Sequence, residues 1–326
     1  MHLLRGWGVL GLLGLLLAGC GAAQREGKSP GPQQASAPVT TVPPTALATG
    51  GQRGGGSPYE IVGSEVWNVP DPVSGRGYQV FVALPPGYAE QPQRRYPVLY
   101  VTDADYAFPL IRQIARRLNV DGPQIEDFIL VGLSYAQGET GTSSRRRDYT
   151  PSAHGAADAP AGAVHGGGAA YAAYLRQQVL PFVASRYRTN EQRRLFLGHS
   201  YGGLLGTQIL LTAPDLFAGY LLGSPSYWYD SHYMERAESA FAAAHKDVPA
   251  RVYLYVGQYE DTRPGDPRYA KRYDMVTDAR RMAHRLQARG YPSLQLRLEV
   301  LNDEDHLSVA PRGFIHGLKY LLPARS

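Results

Sequence analysis

The sequence predicts an α/β domain, with a mostly parallel sheet covered by helices on both faces. Three observations predict it. Apolar runs of strand length alternate with stretches of helical periodicity along the body of the chain. Several of those runs, such as Val98–Thr102 and Phe128–Leu133, are continuous, as strands buried on both faces are. Finally, Leu195–Gly198 passes through His199, Ser200, Tyr201, Gly202 and Gly203 into an apolar stretch, which reads as a strand, a sharp turn and a helix.

Taken in order, the chain starts with a short polar, basic segment holding His2 and Arg5. Trp7 to Leu17 is nearly unbroken apolar sequence, of signal-peptide length and short for a bilayer span. It ends in Leu17-Ala18-Gly19-Cys20, which resembles the lipobox of bacterial lipoproteins. That resemblance implies cleavage before Cys20, a lipid on its sulfur, and an extracytoplasmic protein anchored to a membrane. Cys20 is the only cysteine, so no intramolecular disulfide can form. From Gly21 to about Ser57 the composition shifts to Gly, Pro, Ala, Ser, Gln and Thr, too apolar-poor to offset ordering entropy. The expected organisation is a signal peptide over 1–19, a flexible linker over 20–57 and one folded domain over 58–324.

In the body, Glu65–Val69 and Tyr78–Ala83 read as strands joined by a turn around Pro72 and Gly75. After Val98–Thr102 comes a helix near Leu110–Leu118, then the strand Phe128–Leu133. Ser134 to Gly168 is long, polar and without periodicity, so it reads as a loop. Tyr171 to Val183 carries a helical stripe that Pro181 should kink. Ala218–Gly223, Arg251–Val256 and Leu294–Leu301 read as strands. Helices are expected near His232–His245, Met275–Leu286 and Phe314–Leu322.

With 326 residues, 44% of them hydrophobic, one such domain has ample core. The net charge of +5 is small and spread out, its densest cluster being Arg145, Arg146 and Arg147. That pattern argues against a nucleic-acid face. The histidines do not cluster at metal-ligand spacing, and Gly166-Gly167-Gly168 lacks the Lys-Ser/Thr ending of a phosphate loop. No cofactor is expected.

The chemistry-bearing stretch is Gly198-His199-Ser200-Tyr201-Gly202. A serine on a strained strand-to-helix turn needs very small neighbours, and Gly198 and Gly202 supply them, while Gly203 lets the helix approach the sheet. Ser200 then presents its hydroxyl above a helix N-terminus, and the Tyr201 N–H faces a developing oxyanion. A serine needs a base, and the base needs an acid to orient it. In this architecture the order is serine, acid, histidine. His306 follows the last strand through Asn302-Asp303-Glu304-Asp305 and fits that order. His199 is expected to point away, and the other histidines fall in helices or the long loop. The acid should follow Arg251–Val256, where Glu260 and Asp261 both stand; Glu260 is preferred and Asp261 remains open. A second oxyanion donor should come from Asp103 or Ala104, after Val98–Thr102.

With these residues in place, the body is similar to the esterase D and ferric-siderophore esterase branch of the α/β-hydrolases. The likeness is carried by Leu84-Pro85-Pro86-Gly87-Tyr88, Tyr96-Pro97-Val98-Leu99-Tyr100, Arg147-Asp148-Tyr149-Thr150-Pro151, the Ser200 motif, Ser224-Pro225-Ser226-Tyr227-Trp228 and Asp305-His306, and it spans roughly Tyr59 to Leu322. It implies a serine carboxylic-ester hydrolase with Ser200 as nucleophile and His306 as base, acting on ferric-siderophore or related aromatic esters. It implies that the loop at Ser226 to Trp228 lines the pocket. Where many members have Asp-Gly after the third strand, this chain has Asp103-Ala104. Tyr227, Trp228 and the arginine cluster, Arg147 included, are further candidates for receiving an aromatic, anionic ligand. An acyltransferase would use the same residues, and a non-catalytic ligand-binding lipoprotein would keep only the scaffold.

Overall fold

In the computed structural model, residues 59–156 and 159–324 are described; the segments expected as signal peptide and linker, and Cys20, lie outside them. Eight strands form one sheet in the order β1-β2-β4-β3-β5-β6-β7-β8. They are β1 (Ser64–Asn68), β2 (Tyr78–Ala83), β3 (Tyr96–Val101), β4 (Ile129–Ala136), β5 (Thr189–His199), β6 (Gly219–Gly223), β7 (Arg251–Gly257) and β8 (Gln295–Leu301). β1 and β2 pair antiparallel; every pairing from β4 to β8 is parallel. The α/β fold with a mostly parallel sheet is therefore observed.

The helices are α1 (Ala104–Leu118), α2 (Gly141–Asp148), α3 (Gly168–Tyr174), α4 (Leu180–Arg186), α5 (Tyr201–Thr212), α6 (Tyr229–Ala244), α7 (Met275–Ala288) and α8 (Val309–Leu321). β3 shows why both faces are covered. Tyr96, Val98 and Tyr100 bury in the core layer under α5, while Leu99 and Val101 bury in the opposite layer with α1 and α8. The chain order reverses across β3, whose neighbours are β4 and β5. In such sheets the crevice opens at the carboxyl ends of the strands at this reversal, here Thr102–Asp103 after β3 and Ser200 after β5.

Three departures from the expected elements have physical causes. α2 lies within the stretch read as a loop. Its inward residues are Ser144 and Asp148, tied by Ser144 Oγ donating to Asp148 Oδ2 (3.0 Å) and Tyr78 Oη donating to the same oxygen (3.0 Å). A helix held by polar bonds leaves no apolar stripe to read. The helix over Tyr171–Val183 is divided by a wide π-type turn at Leu175–Val179, just before Pro181, which has no N–H to give. α6 starts at Tyr229, but Asp230, Ser231 and His232 hold φ of 46°, 50° and 60°. Its regular part begins after His232, close to the expected start.

Candidate active site

β5 delivers Ser200 at φ 60°, ψ −118°, a conformation L-residues rarely adopt. The turn is feasible because the residues two positions to either side, Gly198 and Gly202, have no side chains. A Cβ on Gly198 would stand 2.2 Å from the Gly202 carbonyl oxygen, and one on Gly202 would stand 2.4 Å from Thr102 Oγ1. The Ser200 N–H donates to Gly223 O at 2.8 Å, and its carbonyl accepts from Leu204 N–H at 3.0 Å, which locks the bend to β6 and α5.

β7 ends in Gly257, and a single tight turn, Gln258–Glu260, aims Glu260 inward. Glu260 is 2% exposed. Its Oε1 accepts from Ser224 Oγ at 2.6 Å and Gly257 N–H at 2.8 Å. Its Oε2 lies 2.6 Å from His306 Nδ1. An ionised carboxylate only accepts, so Nδ1 carries the proton and Nε2 is the basic nitrogen. Asp261, the neighbouring candidate, turns out to Arg263 at 3.6 Å. Asp305 caps its own turn, accepting from Leu307 N–H at 2.8 Å and Ser308 N–H at 2.9 Å.

Ser200, Ser226, Glu260 and His306 line one cleft of about 390 Å³. Ser200 Oγ lies 3.5 Å from Ser226 Oγ and makes no hydrogen bond to His306 in this conformation. Such bonds are commonly long before substrate arrives, and a serine side chain has three staggered χ1 wells. A second cleft, of about 270 Å³, sits under the far end of α1 beside Arg112, Arg116 and Phe128; neither serine nor histidine lines it.

Opposite the elbow, Asp103 takes the positive φ (53°) at the start of α1. That is why a glycine is dispensable at position 104: the left-handed residue is one position earlier. Arg145 donates to both Asp103 carboxylate oxygens (3.0 and 3.2 Å), and Tyr135 Oη donates at 2.8 Å. Burial pulls the Arg145 guanidinium down, but the Asp103 carboxylate outweighs it and holds it above its ordinary value. Of the two amides expected as second donor, Asp103 N–H is turned to Tyr149 Oη at 3.4 Å. Ala104 opens α1, where the first N–H groups have no intrahelical acceptor. Tyr201 likewise opens α5.

Two of the expected ligand-contacting residues stand elsewhere. Tyr227 is buried in the core, bonded through its hydroxyl to Thr207 Oγ1 at 2.9 Å. Arg147 is spent on Asp148 (2.8 and 2.9 Å) and on Glu139. Arg145 is the cluster member that reaches the elbow, where its Nη2 donates to His199 O at 3.4 Å. Ser226 and Trp228 do line the cleft.

The sequence reading missed the outer wall. The chain between β7 and α7 brings Tyr259, Arg268, Tyr269, Lys271 and Tyr273 to the cleft. Tyr273 stacks face to face on Trp228 at 3.9 Å and 7°. The run Arg268-Tyr269-Ala270-Lys271-Arg272-Tyr273, directly downstream of the acid, was the available signal. His199, as expected, does not stand where a base must: it is buried and is not among the residues lining the cleft, its ring lies 4.8 Å from that of His306, and both its nitrogens are bonded, to Tyr255 Oη and to the His306 carbonyl.

Comparison with known proteins gives the family and the fold. The family described as "Putative esterase" matches residues 72–296. The ferri-bacillibactin esterase BesA of Bacillus subtilis is 27% identical over 276 residues, covering 81% of this chain and 91% of its own. A siderophore enterobactin esterase of Emericella nidulans is 27% identical, covering 75% and 89%. Among solved structures, the BES protein from Bacillus cereus superposes with a TM-score of 0.68 at 22% identity, over 84% of this chain and all of its own.

Proposed function

The chain belongs to the Putative esterase family and is a serine ester hydrolase; from that premise we propose that it cleaves the ester bonds of an aromatic, anionic metal chelate of the ferric-siderophore class. Ser200 attacks the ester carbonyl, and His306 Nε2 takes its proton. Glu260 holds the Nδ1–H tautomer and stabilises the imidazolium. The N–H groups of Tyr201 and Ala104 receive the tetrahedral oxyanion. The imidazolium then returns the proton to the departing alkoxide, and a water activated by the same imidazole clears the acyl-enzyme.

The observation that carries the chemistry is the 2.6 Å contact of buried Glu260 with His306, in the same cleft as a serine in a strained turn. The substrate class is supported by the named activities of the relatives and by the wall of tyrosines, Trp228 and cations, which suits aromatic anions. The test is direct. Wild-type protein should hydrolyse p-nitrophenyl acetate and open ferric bacillibactin or enterobactin, and a fluorophosphonate should label Ser200. Ser200→Ala should lose hydrolysis by about ten-thousandfold or more while melting like the wild type. Hydrolysis by Ser200→Ala at the wild-type rate would remove the mechanism; intact ferric siderophore after long incubation would remove the substrate.

The position of Cys20 adds a proposal on place. The sulfur carries a lipid, and the esterase works outside the cytoplasm, tethered to a bacterial membrane. Metabolic labelling with a fatty-acid probe should mark the wild type and spare Cys20→Ala; equal labelling of both would refute it.

A further inference from the structure

We propose that His199, the residue before the nucleophile, is a positioning residue that clamps the loop bearing His306 and so sets where that imidazole stands relative to Ser200. The inference rests on the triad reading above.

The imidazole His306 sits on a stretch without regular structure between β8 and α8. Among the described residues, the hydrogen bond of its side chain is made to Glu260. Its backbone is held by His199, whose Nε2 lies 2.9 Å from the His306 carbonyl oxygen. A carbonyl can only accept, so His199 Nε2 carries a proton. A neutral imidazole then has an acceptor at Nδ1, and Tyr255 Oη lies 3.2 Å away to donate to it. The tautomer of His199 is thereby fixed from both sides. Burial, then the nearby His306, lowers its pKa to about 3, so near neutral pH the ring is uncharged and adds no charge against the imidazolium formed in turnover.

The sheet is built to allow this clamp. His199, Gly223 and Tyr255 stand in register on adjacent strands β5, β6 and β7. A Cβ on Gly223 would be 2.0 Å from Tyr255 Oη. Only the missing side chain on β6 lets the phenol reach across to His199. The groups facing His199 are Tyr255 from β7, His306 from the loop after β8 and Arg145 from α2. Ser200 and His306 are thus joined through the residue adjacent to the nucleophile, so a shift of one carries the other.

The test uses the intact protein with p-nitrophenyl acetate, comparing His199→Ala, His199→Gln and Tyr255→Phe with Ser200→Ala and His306→Ala. His199→Ala should lower kcat by about a hundredfold, the cost of a misplacement near 1 Å, with KM within about twofold. His199→Gln, which restores an N–H donor, should recover at least about tenfold of that loss. In proton NMR, Ser200→Ala should keep the far-downfield resonance of the His306 Nδ1–H held by Glu260, and His199→Ala should lose or broaden it. If His199→Ala does not fold, Tyr255→Phe keeps the ring and should still lower kcat severalfold at constant KM. Wild-type kcat in His199→Ala or in Tyr255→Phe, or an unchanged resonance in His199→Ala, would overturn the clamp. Full activity in Ser200→Ala or His306→Ala would instead overturn the triad, so the two failures are distinguishable.

Discussion

The floor of the cleft and its outer wall are made in opposite ways. The floor is made by strand ends. Ser224, Glu260 and His199 are buried and Ser200 is half-buried, and each is fixed by backbone bonds or by a short side-chain bond to a neighbouring strand end. The wall is one irregular excursion between β7 and α7, where Arg268, Lys271 and Arg272 stand exposed and tyrosines pack on one another and on Trp228. A rigid floor suits a reaction shared by every ester. A wall of exposed cations and stacked rings can change which ester enters without touching the reacting atoms. If this division holds, substitutions in the floor act on kcat for all substrates, and substitutions in the wall act on KM for charged substrates.

The sharpest way to break that comparison is at two adjacent carboxylates. Glu260→Gln keeps the shape but cannot stabilise an imidazolium, and it permits the wrong histidine tautomer. It should lower kcat by about a thousandfold or more on p-nitrophenyl acetate. Asp261→Asn removes only an exposed pair to Arg263 and should change kcat by less than about twofold. Steady-state kinetics of the two purified variants decides. Equal losses would mean that the acid was misassigned and that burial does not separate floor from wall.

A smaller effect distinguishes the regions by pH. His199 is buried and neutral, with a folded-state pKa lowered from 6.5 to about 3 by burial and then by His306. The unfolded chain therefore binds a proton in this window and the folded one does not. Its contribution is present above 6.5 and is lost as pH falls toward 3, by at most about 1.4 kcal/mol per pH unit. Melting curves from pH 7 to 4 should fall more steeply for the wild type than for His199→Gln. Parallel curves would show that the ring is not held neutral. The wall's exposed Arg268, held protonated by the Asp266 carboxylate, stays charged throughout that range and should contribute no such slope.

How much of this was readable before the coordinates follows from the same division. The elbow was legible because its backbone leaves no choice at Gly198 and Gly202. His306 was legible from chain order. Glu260 was preferred but Asp261 stayed open, because adjacency in sequence says nothing of which one a single turn points inward. Arg147 was expected at the cleft and Arg145 reaches the elbow instead; two positions apart on α2 they point to opposite sides of the helix. The role of His199 was invisible, since it depends on a register running through Gly223 to Tyr255 across three strands. The wall was overlooked because charged and aromatic residues on an irregular stretch carry no period.

The wall itself offers the smallest and most selective effect. Lys271 lines the cleft, is exposed, and makes no ion pair with any described residue, whereas Arg268 beside it is taken by Asp266 at 2.7 Å. Its charge is therefore available to a bound anion, though water and salt weaken it. Lys271→Glu should raise KM for a ferric catecholate ester by about fivefold to tenfold at low ionic strength, and by less at 0.5 M salt, with kcat unchanged. On neutral p-nitrophenyl acetate the same variant should match the wild type. An equal KM change on both esters, or one indifferent to salt, would mean that Lys271 shapes the cleft instead of selecting charge, and the contrast between an ester-neutral floor and a charge-reading wall would lose its basis.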